Sequence, residues 1–181
     1  MDAVDALRAG EAVLLPADGV YGLCCAVDEA AVRHLYELKG RAARQPTAII
    51  AANADAAVAL VPELDPAQLV PGPYTLVLAN PARRLPFLAG DRPDTIGVRL
   101  PELPDATRRV LDAVGAVVAT SANEPGEAAA ASLAEVAERI RAGCAAEVDG
   151  GRLPGIASTV VDLSGPEPVL LRQGAGAWPP G

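Results

Sequence analysis

Short runs rich in valine and isoleucine alternate along this chain with stretches of helical periodicity, and that alternation restricts the fold more than any other feature. The runs predict strands at 12–15, 47–51, 75–79, 95–99, 116–119, 158–163 and 169–172. The stretches between them predict helices at 2–9, 28–38, 54–60, 105–114 and 132–142. In the second helix Asp28 takes the N-cap and Gly40 the position just past the end. Ser132-Leu133-Ala134-Glu135 opens the last with a capping-box pattern. Strands and helices in this mixed order specify the α/β class, a sheet with covering helices.

With 181 residues, the chain suits one domain. Its boundaries are expected at 1–174, leaving 175–181 as a loosely ordered tail. An apolar fraction of 51% excludes a disordered chain, and 3% aromatics predict an aliphatic core. Prolines and glycines, seventeen of each, fall mainly between the predicted elements and mark loops, not a linker. No run reaches the roughly 18 apolar residues of a membrane span. Met1-Asp2-Ala3-Val4-Asp5 is acidic where a signal peptide is basic, so a cytoplasmic protein without a membrane partner is expected.

Three cysteines, Cys24, Cys25 and Cys144, give neither an even set of pairs nor a metal-ligand spacing. A single histidine, His34, leaves little room for a histidine metal site or a serine-histidine-aspartate triad, and no resident metal is expected. The net charge of −8 opposes diffuse attraction to nucleic acid, so any RNA contact must be local. Arg33, Lys39, Arg41, Arg44, Arg83, Arg84, Arg92 and Arg99 could form such a patch, or could lie scattered over solvated faces.

Lys39 is the only lysine, while the other fourteen basic positions are all arginine. A compact ammonium retained at one point in an arginine-biased chain marks a site where a planar guanidinium does not serve. The plainer alternative is a cation closing the helix 28–38. Ala119-Thr120-Ser121-Ala122-Asn123-Glu124-Pro125-Gly126 follows a strand and ends in a turn. Small hydroxyl and amide groups at the carboxyl end of a strand can serve a ligand in the crevice of an open α/β sheet, or can simply build an Asx turn. No phosphate-loop or dinucleotide fingerprint is present. Further hydroxyls and arginines lie beside strands in Pro71-Gly72-Pro73-Tyr74-Thr75, Thr95-Ile96-Gly97-Val98-Arg99, Ser158-Thr159-Val160-Val161-Asp162 and Leu171-Arg172-Gln173-Gly174.

Taken in this order, these segments resemble the YrdC/Sua5 family of threonylcarbamoyl-AMP synthases. The resemblance runs from about Glu11 to Gly174 and starts at Leu15-Pro16-Ala17-Asp18-Gly19-Val20-Tyr21-Gly22-Leu23. Lys39-Gly40-Arg41 together with Ser121-Ala122-Asn123 carries its most specific part. The resemblance implies a twisted mixed sheet flanked by helices, with the site on a concave face. It implies an enzyme, a nucleotidyltransferase that joins L-threonine, bicarbonate or carbon dioxide, and ATP with Mg2+ into threonylcarbamoyl-AMP and pyrophosphate for tRNA modification. Transient contact with tRNA or tRNA-modifying proteins follows from the same likeness. In such a step a carbamate oxygen attacks the α-phosphorus. Both partners are anionic, so positioning and positive charge carry the catalysis.

By position, the resemblance implies that Lys39, Arg41, Ser121 and Asn123 act in catalysis. It places Arg41, Gln45, Thr95, Asn123 and Arg172 on ATP. Gly19, Arg99, Ser121 and Ser158 would face the amino acid, with Arg99 as a bidentate fork for its carboxylate and a surface ion pair as the plainer alternative. Three departures bear on the substrate. Ala17 and Gly19 replace two threonines of the family's opening motif, Ile50 stands where many members carry histidine, and Ala42 replaces a proline. The loss of two polar contacts leaves open a paralogue with another amino-acid or carbamoyl substrate, or a non-catalytic module that binds RNA or nucleotide. Thr47 or Thr120 could also take over the lost contact.

Overall fold

The computed structural model describes residues 1–42 and 44–179. In chain order the elements are α1 (Ala3–Arg8), β1 (Val13–Pro16), β2 (Tyr21–Cys25), α2 (Glu29–Lys39), β3 (Ala48–Ala51) and α3 (Ala54–Leu60). They continue with β4 (Tyr74–Ala79), β5 (Thr95–Arg99), α4 (Asp105–Val114), β6 (Ala116–Ser121), α5 (Glu138–Ala142), β7 (Ala146–Glu147), β8 (Thr159–Asp162) and β9 (Val169–Arg172). Among the described residues the nine strands form one mixed sheet in the order β7-β1-β2-β6-β3-β5-β4-β8-β9. No helix among them is long and apolar enough to cross a membrane.

Local signals account for most element ends. Asp28 accepts hydrogen bonds from the Ala30 and Ala31 amides at 2.9 and 3.1 Å, and α2 stops at Gly40, whose φ of 66° favours glycine. Asn53 caps α3 through the Ala56 amide at 2.8 Å. Two expectations are corrected. Residues 132–142 do not form one helix: a 3-10 turn at Leu133–Glu135 is followed by an extended Val136 (φ −71°, ψ 128°) and then by α5. Ser132 makes no cap bond, and Glu135 instead accepts from the Ala131 amide at 2.8 Å and pairs with Arg152. Of the tail 175–181 that was expected to be loose, the described part is tied down: Thr159 donates to the Gly176 carbonyl at 2.6 Å, Tyr74 donates to that of Ala177 at 2.8 Å, and the Tyr74 and Trp178 rings meet edge to face; residues 180 and 181 lie outside the described residues.

The strand β2 is not among the expected runs. Tyr-Gly-Leu-Cys-Cys has neither valine nor isoleucine, but it lies between β1 and β6 with both neighbours antiparallel and every residue buried. Its central place in the sheet supplies the pairing that weak intrinsic preference does not.

Alternation along the strands gives the sheet two different faces. One carries Leu14, Leu23, Ile49, Leu76, Ile96, Val98, Val118 and Val161 and is packed by α2, α3 and α5. The other has two halves. Val13, Leu15, Cys24 and Val117 are covered by Ala3, Ala6 and Leu7 of α1 and Val110 and Leu111 of α4. Beyond them the same face carries Gly22, Ala48, Gly97 and Ala119, and no helix among the described residues covers it; the small residues leave a hollow.

Candidate functional site

This hollow is a cleft of about 500 Å³. Register determines which side chains enter it. Ala48 pairs with both Gly97 and Ala119, making the floor, and Ile50 pairs with Arg99. The antiparallel register Leu76↔Val98 brings Thr75 alongside Arg99, and Val160 pairs with Thr75 on one side and Arg172 on the other. A row of Ile50, Arg99, Thr75, Val160 and Arg172 therefore crosses the sheet, and its polar members come from three non-adjacent parts of the sequence. Gly97 is part of the cause: a Cβ there would lie 3.0 Å from that of Ala48.

Although the chain carries −8 overall, the cleft lining holds Arg41, Arg44, Arg92, Arg99 and Arg172 against one acid, Asp91. Three of the five meet a carboxylate, while Arg41 and Arg172 have no carboxylate partner among the described residues, and their charge favours an anion. Asp91 is already paired with Arg44 at 3.2 Å on the exposed rim, and Arg92 with Asp162 at 2.6 Å. Arg41 donates to Thr120 Oγ1 at 2.9 Å and to the Pro46 carbonyl, and lies 5.9 Å from the centre of the Tyr36 ring. Its Nε is buried without a hydrogen-bond partner among the described residues. Burial lowers the Arg41 pKa, but a guanidinium starts so high that the charge persists at neutral pH.

Arg99 is not on the surface. It pairs with Asp18 at 2.7 Å, both side chains being only 13% and 12% exposed. Arg172, on the exposed edge strand, turns back so that Nη2 donates to the Ser158 carbonyl at 2.7 Å, while Ser158 Oγ shares a 2.7 Å hydrogen bond with Thr75. Thr95 is buried and donates to the Arg92 carbonyl at 2.9 Å, and Ser121 lines the cleft from the end of β6.

Lys39 and Asn123 are close together but do not line the cleft. The Lys39 ammonium donates to the Ser121 carbonyl at 2.6 Å, to the Asn123 carbonyl and to Asn123 Oδ1 at 2.9 Å, so all three of its protons have acceptors. Burial and the nearby Arg41 charge lower its pKa to about 8, with Glu127 acting in the opposite sense. The Asn123 side chain donates through Nδ2 to the Glu124 and Glu127 carbonyls, both at 2.9 Å. Lysine at position 39 thus ties the end of α2 to the loop after β6, a geometry that a planar guanidinium does not reproduce.

Gln45 stands exposed, outside the lining, and its carbonyl accepts from Tyr36 Oη at 3.2 Å. Gly19 lies under the segment 155–156: its carbonyl accepts from the Gly155 amide at 2.8 Å, and a Cβ would run into the Ile156 carbonyl oxygen. The place of a larger side chain is thus taken by backbone. Thr47 donates to the Ala119 carbonyl at 3.0 Å and Thr120 Oγ1 accepts from Arg41, so both hydroxyls are engaged where they stand.

Thr75, Arg44 and Arg92 line the cleft without having been assigned roles from sequence, and Asp18, behind the lining, meets it through its ion pair with Arg99. An acid at position 18, inside an otherwise apolar stretch that becomes buried, was the available signal. The three cysteines are free thiols; burial pushes Cys25 and Cys144 up to about 12, and Cys24 higher still, so none is a ready nucleophile. A second hollow of about 530 Å³, between α1, α3 and α4, is lined by alanine, leucine and valine with Arg8 as its one charged group. It lacks the convergent polar groups of the cleft.

Fold and site together define an α/β protein with an arginine-lined cleft on an open sheet face. The chain belongs to the Sua5/YciO/YrdC family: the family model, described as "Telomere recombination", matches residues 5–174. Threonylcarbamoyl-AMP synthase of Pyrococcus abyssi is 35% identical over 176 residues, covering 93% of this chain and 52% of the relative. That of Chromohalobacter salexigens is 34% identical over 175 residues, covering 92% and 93%. The crystal structure of P. abyssi Sua5 complexed with L-threonine superposes with a TM-score of 0.85 at 34% identity, covering 95% of this chain and 53% of that one. The chain thus spans about half the length of the Pyrococcus relative.

Proposed function

We propose that this chain is an L-threonylcarbamoyladenylate synthase. It would join ATP, L-threonine and bicarbonate or carbon dioxide into threonylcarbamoyl-AMP and pyrophosphate, in the cytoplasm, for a tRNA-modifying step with which it makes at most transient contact. The observation that carries this reading is the concentration of five arginines in the cleft of a net-acidic chain whose relatives bear that name. ATP fits the residues present: a polyphosphate offers acceptors to Arg41, whose Nε lacks one, and to Arg172. Among the described residues no three or more His, Cys, Asp or Glu side chains converge on a metal position, so magnesium is proposed to arrive on the nucleotide's own phosphate oxygens.

In this reading Arg41, Thr95 and Arg172 hold ATP, while Arg99, Ser121 and Ser158 hold the amino acid. Threonine carbamate attacks the α-phosphorus in line with departing pyrophosphate, and the arginines stabilise the charge that spreads over the phosphate oxygens. Lys39 and Asn123 act by holding the Ser121 loop at the cleft, and Gly19 by letting the segment 155–156 close against it.

Ile50 beside Arg99 and the backbone-filled space at Gly19 favour a second reading, a paralogue that takes another amino acid. Pyrophosphate release from ATP and magnesium with bicarbonate and a panel of amino acids, with the adenylate identified by mass spectrometry, separates the two. Release that depends on threonine supports the synthase. Release with another amino acid alone transfers the reading to the paralogue, and nucleotide binding without release under any amino acid leaves a binding module.

A further inference from the structure

Asp18 is a carboxylate that the roles above leave unused. It is nearly buried, its Oδ1 accepts from Arg99 Nη2 at 2.7 Å, and its Oδ2 has no hydrogen-bond partner among the described residues. Arg99 Nε beside it also lacks a partner. Buried polar atoms left unpaired on both members of one ion pair suggest that the pair is completed by something else.

The rest of the cleft narrows what that can be. Arg41, Arg44, Arg92 and Arg172 repel a cationic group, and the acids Asp91 and Asp162 already face Arg44 and Arg92. An α-amino acid carries a carboxylate and an amine on the same carbon. If Arg99 holds the carboxylate, the amine must lie close to Arg99, and the acid beside Arg99 is Asp18. We infer that Asp18 is the acceptor for the amino group of the amino-acid substrate, so that Asp18 and Arg99 together read the two ends common to every α-amino acid.

The inference rests on the amino-acid half of the function proposed above. The terminal torsion of Asp18 is broad and roughly two-fold, so either carboxylate oxygen can take the Arg99 bond and leave the other for the amine. It assigns Asp18 recognition of the amine and not of the side chain, which agrees with the absence of a hydroxyl at Gly19.

The test is calorimetric titration, in the presence of a non-hydrolysable ATP analogue, of L-threonine and of 3-hydroxybutanoate, which keeps the carboxylate and hydroxyl and lacks the amine. The wild-type protein is expected to prefer threonine by at least about tenfold, the factor of one charge-assisted hydrogen bond. Asp18→Asn, which keeps the shape and an acceptor for Arg99, is expected to lose that preference by weakening threonine while 3-hydroxybutanoate stays within about twofold. Equal weakening of both ligands would mean that Asp18 only holds Arg99, and no change in either would mean that it has no part; each overturns the inference. The wild-type comparison stands without the variant: equal binding of the two ligands also overturns it. If the nucleotide analogue binds but neither ligand does, the amino-acid reading itself fails and the inference falls with it.

Discussion

One face of the sheet carries two surfaces made from the same strands, and they differ in what they do with alternation. In the half under α1 and α4, the inward positions are Val13, Leu15, Cys24 and Val117, large enough to fill the space to the helices. A few residues along those strands and their neighbours, the inward positions are Gly22, Ala48, Gly97 and Ala119, and arginines stand around the hollow that results. The first half contributes stability through buried apolar area. The second gives up that area and gathers like charges, a local cost the covered half offsets.

The sharpest break of this comparison is Arg41→Ala. Removing one charge from the open half is expected to lower kcat for adenylate formation by about 10²–10³-fold. Thermal unfolding should change little, because Arg41 is one of several crowded cations; a large loss of stability with modest loss of rate would reverse the roles of the two halves. In the covered half the opposite pattern is expected. Leu111→Ala, at a position 1% exposed, should cost about 2–5 kcal/mol in denaturant unfolding and leave kcat/KM within a few-fold below the melting temperature.

Lys39 joins the two behaviours, since it is buried yet serves the cleft. The unfolded chain keeps this proton up to about 10.5, whereas the folded chain releases it near 8. Between those values the unfolded state binds more protons, so the Lys39 contribution rises with pH across that window, by about 3 kcal/mol at most. Stability of Lys39→Met measured against wild type from pH 7 to 10.5 should show this slope as a difference between the two proteins. Loss of the Lys39 charge is expected to loosen the Ser121 tether, so the wild-type rate should fall above about pH 8 and the variant should show no such fall. Identical slopes would show that the three acceptors keep the ammonium charged throughout. The smallest effect is expected at the rim, where Gln45→Ala should change the KM for ATP by less than about threefold, as for an exposed polar group outside the contact. A larger change would extend the open half out to the rim.

The residues divide clearly between what could be read along the chain and what could not. Strand β3 contains no valine, yet residues 47–51 were legible as a strand from the apolar run with its two isoleucines. The strand β2 was not legible, because Tyr-Gly-Leu-Cys-Cys takes its extended form from two antiparallel neighbours. Arg99 was legible as a site residue, but its partner Asp18 lies 81 positions away and is brought to it by the turn after β1. Lys39 was legible as exceptional, while its three acceptors, at the end of β6 and on the loop after it, were not.

The sequence by itself determined the α/β class, the aliphatic core and the family likeness, because composition, period and motif are local properties of the chain. Only the tertiary structure decided that the small inward residues of four strands form one hollow, that Lys39 is spent on the Ser121 loop, and that Asp18 faces Arg99. Those outcomes depend on strand order and register, which pair residues far apart in the chain and are set by packing of the whole sheet.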